Sequence, residues 1–376
     1  MLRVDEFYSA VVESDISFFT GIPDSLLKDF CAYITDHAKP GSHIIAANEG
    51  NAIALAAGHY LATGNPGLVY MQNSGLGNAV NPLTSLVDPD VYSIPLLLVI
   101  GWRGEPGIKD EPQHVKQGKI TLKLLETLGI EHCILPDEIK DAVSCLNKAV
   151  RVMRENSSPF ALIVRKGTFE AYKLQTQTTN SFVMLREDVV KLFADSLEPR
   201  DVVVSTTGKT SRELFEHREI AGHKHFEQDF LTVGSMGHAS QIALGIALVK
   251  PERQVFCLDG DGALIMHMGA LAIIGTQQAH NFKHVVINNG SHDSVGGQPT
   301  VAFAINILAI AKANGYSVIL RATSYDELKT QLEILRESQG PALLEVCVNK
   351  GARPDLGRPT VSPIENKVNF MRFLRE

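Results

Sequence analysis

Apolar runs alternate along this chain with longer stretches whose apolar positions recur at helical spacing. Residues 16–20 lead into a helical pattern over 25–37, 44–47 into 50–62, and 67–71 into a helix near 78–86. Residues 96–100 and 161–164 add further strand-like runs, and a second series places strands at 202–205, 255–258, 284–287 and 342–346, with helices over 238–249 and 263–275. Runs that are apolar throughout, without polar alternation, suit strands buried on both faces, and β–α alternation predicts parallel sheets covered by helices on both sides. Between the two series, TFEAYKLQTQTTN is polar and has no apolar period, which marks a linker. The expected fold is therefore α/β, two doubly wound parallel-sheet domains in tandem, with a first domain at 1–168, a linker at 169–182 and a second domain at 183–376. Two α/β domains of similar size also fit an ancient duplication.

Length agrees, since 376 residues exceed one ordinary core. A net charge of −7 with no basic cluster argues against nucleic acid as a partner. The first seven residues are acidic and lack the apolar core of a signal peptide, and the apolar stretch at 95–100 is too short to span a bilayer. A cytoplasmic protein without a membrane partner is expected. The five cysteines, Cys31, Cys133, Cys145, Cys257 and Cys347, are scattered and never spaced C-x-x-C, and read as reduced thiols, neither disulfides nor a zinc site.

In open α/β sheets ligands bind beyond the carboxyl ends of the strands, so the residues just after each run carry the chemistry. Gly260-Asp261-Gly262 follows one run and Asn288-Asn289 the next, with 263–287 between them. In a β-α-β unit these two points converge. A carboxylate, an amide oxygen and backbone carbonyls suit a hard cation such as Mg²⁺, and N–H groups of a helix opening at Gly262-Ala263 suit a diphosphate. An EF-hand loop fails at Ala263, and a dinucleotide fingerprint fails at Ile265, where its third glycine would stand. A plain helix cap at Asp261 stays open on this evidence alone.

The first domain repeats the arrangement. Residues 21–25, 48–51, 72–78 and 101–104 are polar or glycine-rich and each follows a strand. Glu49 lies between an apolar strand and a helix of small residues, so its carboxyl group is expected to be desolvated and its pKa raised, although an acid at a helix start also serves the helix dipole. Gly75-Leu76-Gly77 reads as a turn that lets backbone approach closely. Thr206-Thr207-Gly208 offers small donors, and Gly208-Lys209-Thr210 is no P-loop because Val203 stands where the first glycine belongs. Met236 could be ordinary core, and His223 with His225 reads as part of a solvated connection.

The spacing of GDG and NN in a strand-helix-strand context resembles the thiamine-diphosphate-dependent decarboxylase superfamily. That resemblance implies thiamine diphosphate held through Mg²⁺, with Asp261, the Asn289 side chain and the main-chain oxygen of Ser291 as metal ligands. Thr207, Gly208, Ser235, Met236, Gly260, Gly262 and Ala263 would line the cofactor, with Met236 as the wedge that bends it. EGNAIALAAG is similar to the family segment whose glutamate hydrogen-bonds the aminopyrimidine ring and activates C2, a role that falls on Glu49. Most of the superfamily carries a middle domain that the short linker leaves no room for.

Further segments, GIPDSLL, MQNSGLGNAVNPLTSL, WRGEPGIKDEPQH, STTGKTSREL and GARPDLGRPT, resemble members that decarboxylate 2-oxo acids bearing a phosphonate, with sulfonate-specific members as the alternative. Ser25 matches a substrate-contacting serine of benzoylformate decarboxylase. Met71 falls near that enzyme's active-site histidine, which leaves His114 as the candidate for proton transfer. A multiply charged substrate needs fixed cations, and Arg103, Lys209 and Arg212, with Arg353 and Arg358 behind them, lie in these loops. The family also implies a homodimer or higher homo-oligomer with active sites at subunit interfaces. A carboligating transferase would ordinarily carry the middle domain, and a non-catalytic cofactor-binding subunit should lack Glu49.

Overall fold

In the computed structural model, residues 1–176, 180–220 and 226–376 are described. The chain divides into two compact units, Met1–Gln177 with Val295–Gln298, and Thr178–Ser294 with Pro299–Glu376.

The first unit is built on six parallel strands: β1 (Phe19–Gly21), β2 (His43–Ile45), β3 (Leu68–Gln72), β4 (Leu97–Gly101), β5 (Glu131–Ile134) and β6 (Phe160–Val164), in the order β2-β1-β3-β4-β6-β5. The second has β7 (Val202–Ser205), β8 (Asp229–Leu231), β9 (Val255–Gly260), β10 (Phe282–Asn288), β11 (Val318–Ala322) and β12 (Ala342–Cys347), also all parallel, in the order β11-β12-β10-β9-β7-β8. Counted from the first strand of each sheet and read from the matching edge, both orders are 2-1-3-4-6-5. The chain leaves β1 for β2 on one side and returns to β3 on the other, so the crevice where strand order reverses lies at β1/β3, and in the second unit at β7/β9.

Burial follows the pleat. Phe256 and Leu258 of β9 join a core with Val189, Phe193, Leu214 and Leu328, whereas Val255 and Cys257 face a second core with Ala239, Ala243, Leu271 and Ile274. In the first unit Tyr70, Val99 and Leu162 pack with Phe7, Phe30 and Leu146, and Val69, Leu98 and Ile163, equally buried, alternate to the other face. Helices cover both faces because both faces are apolar.

Three strands were not among those expected from the sequence, and all three lie at sheet edges: β5, β8 and β11. β5 reads EHCI and β11 VILRA, with most of their residues only half-buried. The helix expected over 263–275 is two helices, Asp261–Met266 and Ala270–Gln277, because His267 leaves helical geometry at φ −132°, ψ 47°. The reading of all five cysteines as thiols is also corrected. Cys133 on β5 and Cys145 in the helix Ile139–Asn156 are joined as a disulfide, their Cα atoms 6.9 Å apart, while Cys31, Cys257 and Cys347 are free and buried. The two partners meet through a strand-to-helix return that sequence spacing does not reveal.

Candidate active site

Beside the second crevice, at the carboxyl ends of β9 and β10, register explains the convergence. Ile287 of β10 pairs with Gly260 of β9, so the chain leaves both strands at one level, and Asp261 and Asn289 emerge side by side. Asn288 turns away, its Nδ2 donating to Glu345 at 2.8 Å. Asn289 donates its backbone N–H to the Asp261 carboxyl group, and its own Oδ1 accepts the N–H of Ser291 at 3.0 Å. The loop then folds back through a bridge between Ser291 and Pro299, which brings the Thr300 hydroxyl onto Asp261.

Asp261 is 3% exposed, and burial pushes its pKa up to about 6 despite the hydrogen bonds from Thr300 and the backbone. Those donors are neutral. A buried carboxylate supported only by neutral donors, next to an amide oxygen and beside the buried, unpartnered Oγ of Ser291, is the donor set a hard divalent cation fits. The six-residue helix Asp261–Met266 carries little dipole, so a diphosphate here would depend on individual N–H groups and on the cation, and less on the helix end than its expected length implied.

The other expected cofactor residues gather in this unit. Thr207 Oγ1 accepts the N–H of Gly234 at 2.9 Å, tying the loop after β7 to the one that carries Ser235 and Met236. Gly208 adopts φ 101°, open to glycine, and Ser235 adopts φ 46°. A Cβ on Gly262 would lie 3.4 Å from Met236 Cε and 3.3 Å from the His292 ring, so these three residues meet. His292 was not among the expected residues; burial pushes its pKa down to about 4, and its place directly after Ser291 was the available clue.

The cations divide by what they already hold. Lys209 Nζ donates to the Asp293 carbonyl at 3.1 Å and faces its carboxylate at 3.6 Å, within a cluster that includes Arg186 and Glu213. Arg353 pairs with Glu187, Glu216 and Asp355. Arg212 donates to the carbonyl oxygens of Leu356 and Gly357. Residues 223–225, with His223 and His225, lie outside the described residues. Cys257, Asp259 and His284 form a fully buried group whose ligand-type atoms lie within 4.8 Å of one another. His284 already meets Tyr316 OH at 3.1 Å and Asp259 at 3.4 Å, so the group reads as a hydrogen-bonded core.

In the first unit, Asn48 caps the helix Glu49–Thr63 by accepting the N–H of Asn51 at 2.9 Å, which leaves Glu49 free to turn inward. Glu49 is 6% exposed and accepts from Asn78 Nδ2 at 2.8 Å. A Cβ on Gly75 would stand 2.5 Å from Glu49 Oε1, so the close approach expected of Gly75-Leu76-Gly77 is real and belongs to Gly75; nothing lies within 4 Å of one on Gly77. Asn78 and Gly75 were missed as partners of Glu49 because their contact depends on the turn Asn73–Gly75 after β3.

At the β1/β3 crevice, Ser25 Oγ accepts from Arg103 Nη1 at 2.8 Å, and Arg103 forks onto Asp110. Asp24 is fully buried beside them, accepting from Gln72 at 2.6 Å and from the N–H of Leu26 at 2.9 Å, and burial raises its pKa. His114 is 8% exposed with no partner on Nδ1, and burial, reinforced by Arg103, pushes its pKa down to about 4. It is therefore neutral at pH 7 and a weak proton donor there. A histidine with a depressed folded pKa adds stability that is complete above its unfolded value near 6.5 and lost as pH falls towards 4. His114→Gln should remove up to about 3 kcal/mol of that pH-dependent loss in urea unfolding measured between pH 7 and 4. Identical slopes for variant and wild type would show that His114 titrates normally.

Two sheets of one topology, one with a buried aspartate-asparagine pair beyond its strand ends and the other with a glutamate pressed against glycine, define a class of cofactor enzyme. Residues 4–134 match the N-terminal TPP binding domain of thiamine pyrophosphate enzymes, and residues 206–346 match their C-terminal TPP binding domain. Over 392 aligned residues the chain is 34% identical to a phosphonopyruvate decarboxylase of Streptomyces viridochromogenes and 33% identical to one of Streptomyces hygroscopicus, covering 100% of this chain and 95% of each relative. A sulfopyruvate decarboxylase of Methanosarcina acetivorans is 29% identical over 81% of this chain and 80% of its own length. The chain belongs to the phosphonopyruvate decarboxylase family of thiamine pyrophosphate enzymes. It is a carboxy-lyase that uses thiamine diphosphate.

Proposed function

We propose that the protein decarboxylates phosphonopyruvate to phosphonoacetaldehyde and CO₂, a step of phosphonate biosynthesis. The observation that carries this reading is likeness along the whole chain, at 34% identity, to a phosphonopyruvate decarboxylase, against 29% over 81% of the chain for the sulfonate relative. Residues 1–168 act as the pyrimidine-binding domain, 169–182 as the linker and 183–376 as the diphosphate-binding domain. Bound thiamine diphosphate supplies the electron sink that loss of CO₂ from a 2-oxo acid requires. Asp261, the Asn289 amide oxygen and the Ser291 carbonyl would hold Mg²⁺ against the diphosphate, with Thr207, Gly208, Ser235, Gly260, Gly262 and Ala263 around it. Met236 would support the bend of the cofactor, and Glu49 would hydrogen-bond its pyrimidine ring. Ser25 faces the substrate.

Arg103 and Lys209 already face carboxylates, whereas the carbonyl partners of Arg212 do not neutralise it, so Arg212 is the first cation to test against the phosphonate. Purified enzyme with thiamine diphosphate and Mg²⁺ should release CO₂ faster from phosphonopyruvate than from sulfopyruvate or pyruvate. Arg212→Gln should narrow the phosphonopyruvate-to-pyruvate ratio in kcat/KM by about tenfold, the worth of one charged hydrogen bond. A faster reaction with sulfopyruvate would transfer the assignment to the sulfonate substrate.

The active unit is at least a homodimer, in which Glu49 of one subunit and Asp261 of another serve one cofactor. Among the described residues no helix is long and apolar enough to cross a membrane. Glu49→Gln and Asp261→Ala subunits, each inactive alone, should regain part of the activity when mixed, because a hybrid dimer has one intact site. No recovery after verified subunit exchange would count against the shared site.

A further inference from the structure

Among the described residues, the Ser25 hydroxyl is held by Arg103. Arg103 follows β4, and its backbone is fixed by Asn73, whose Nδ2 donates to the Arg103 carbonyl at 2.8 Å and whose Oδ1 accepts the Arg103 N–H at 3.2 Å. Its side chain is fixed by Asp110, which takes Nε at 2.8 Å and Nη2 as a fork. Asp110 is fixed in turn, accepting the N–H of Gly104 at 2.8 Å and of Glu111 at 2.7 Å. Both side chains are largely buried, at 18% and 14% exposure. What remains is Nη1, placed 2.8 Å from Ser25 Oγ.

A serine hydroxyl has one hydrogen and two lone pairs. With a permanently charged donor occupying one lone pair, the Ser25 O–H is directed away from Arg103. The Arg103–Asp110 pair carries no net charge, so what it offers at this point is direction. The geometry points to Arg103 and Asp110 as positioning residues that make Ser25 a hydrogen-bond donor to an anionic or carbonyl oxygen of the substrate, in place of Arg103 binding the phosphonate itself. This rests on the reading of Ser25 as a substrate contact. It reassigns Arg103 from the substrate cations expected from the sequence.

A double-mutant cycle separates the two roles. Ser25→Ala and Arg103→Met should each lower kcat/KM by about 100-fold, as loss of one oriented donor does. The double variant should fall within about twofold of the weaker single variant, because Arg103 has nothing left to orient. Ser25→Thr, which keeps the hydroxyl, should restore sensitivity to Arg103→Met. Multiplied losses in the double variant, or a phosphonopyruvate-to-pyruvate ratio that collapses in Arg103→Met but not in Ser25→Ala, would overturn the proposal, since Arg103 would then meet the substrate directly. Should Arg103→Met fail to fold, the isosteric Asp110→Asn replaces it in the same cycle with the same expected non-additivity. If wild-type enzyme turns over only sulfopyruvate or pyruvate, the proposed substrate fails, and the cycle is run and decided on the acid that is used.

Discussion

Asp261→Ala should leave a folded protein that no longer binds thiamine diphosphate in the presence of Mg²⁺, with affinity reduced by at least about 100-fold in calorimetry. The reason is electrostatic. A diphosphate and a carboxylate repel unless a cation stands between them, and the Asp261 carboxyl group is already so poorly solvated that burial raises its pKa to about 6. A divalent ion would relieve both problems at once; without the carboxylate, the Asn289 and Ser291 oxygens, both neutral, would hold it only weakly. The fold should survive because the substitution removes a group whose ionisation burial opposes. Thr300→Val, which takes away only the hydroxyl that orients Asp261, should weaken cofactor binding by about tenfold. Unchanged affinity in Asp261→Ala would remove the central premise of the site.

Glu49→Gln should bind cofactor nearly normally yet lose activity by about 100-fold or more, with proton exchange at the cofactor's C2 slowed in parallel. Glutamine fits the space and can keep the hydrogen bond from Asn78 through its own oxygen, so neither fold nor docking has reason to fail. As an amide it would lack the carboxyl group that the proposed ring activation uses. Gly75→Ala offers a steric counterpart. The added methyl group would meet the Glu49 carboxyl at 2.5 Å and displace it, so activity should fall although position 49 is unchanged. Wild-type exchange rates in Glu49→Gln would make Glu49 a structural residue.

What the sequence discloses depends on how completely a segment is buried. Interior strands such as β4 and β6 are buried along their whole length and appear as apolar runs, LLVIG and FALIV. Edge strands such as β5 and β11 are only partly covered, and the apolar signal fades with the burial. The convergence of Asp261 and Asn289 was legible because each directly follows one of two adjacent strands. Thr300, Asn78, Asp110 and His292 were not, since each reaches its partner through a returning loop or turn. The same limit applied to Arg103: charge could be read from the chain, but the carboxylate that occupies it could not.

Identical strand order in the two sheets has a consequence for how such an enzyme can be encoded. Each sheet closes its own hydrophobic cores, with helices drawn from the same half of the chain, so neither half depends on covalent attachment for its interior. The peptide between them is then a tether that sets equal stoichiometry and raises local concentration. Two genes could replace one and leave each of these hydrophobic clusters whole, and divergence of the first half could alter the acid handled while the second kept the residues proposed for the diphosphate.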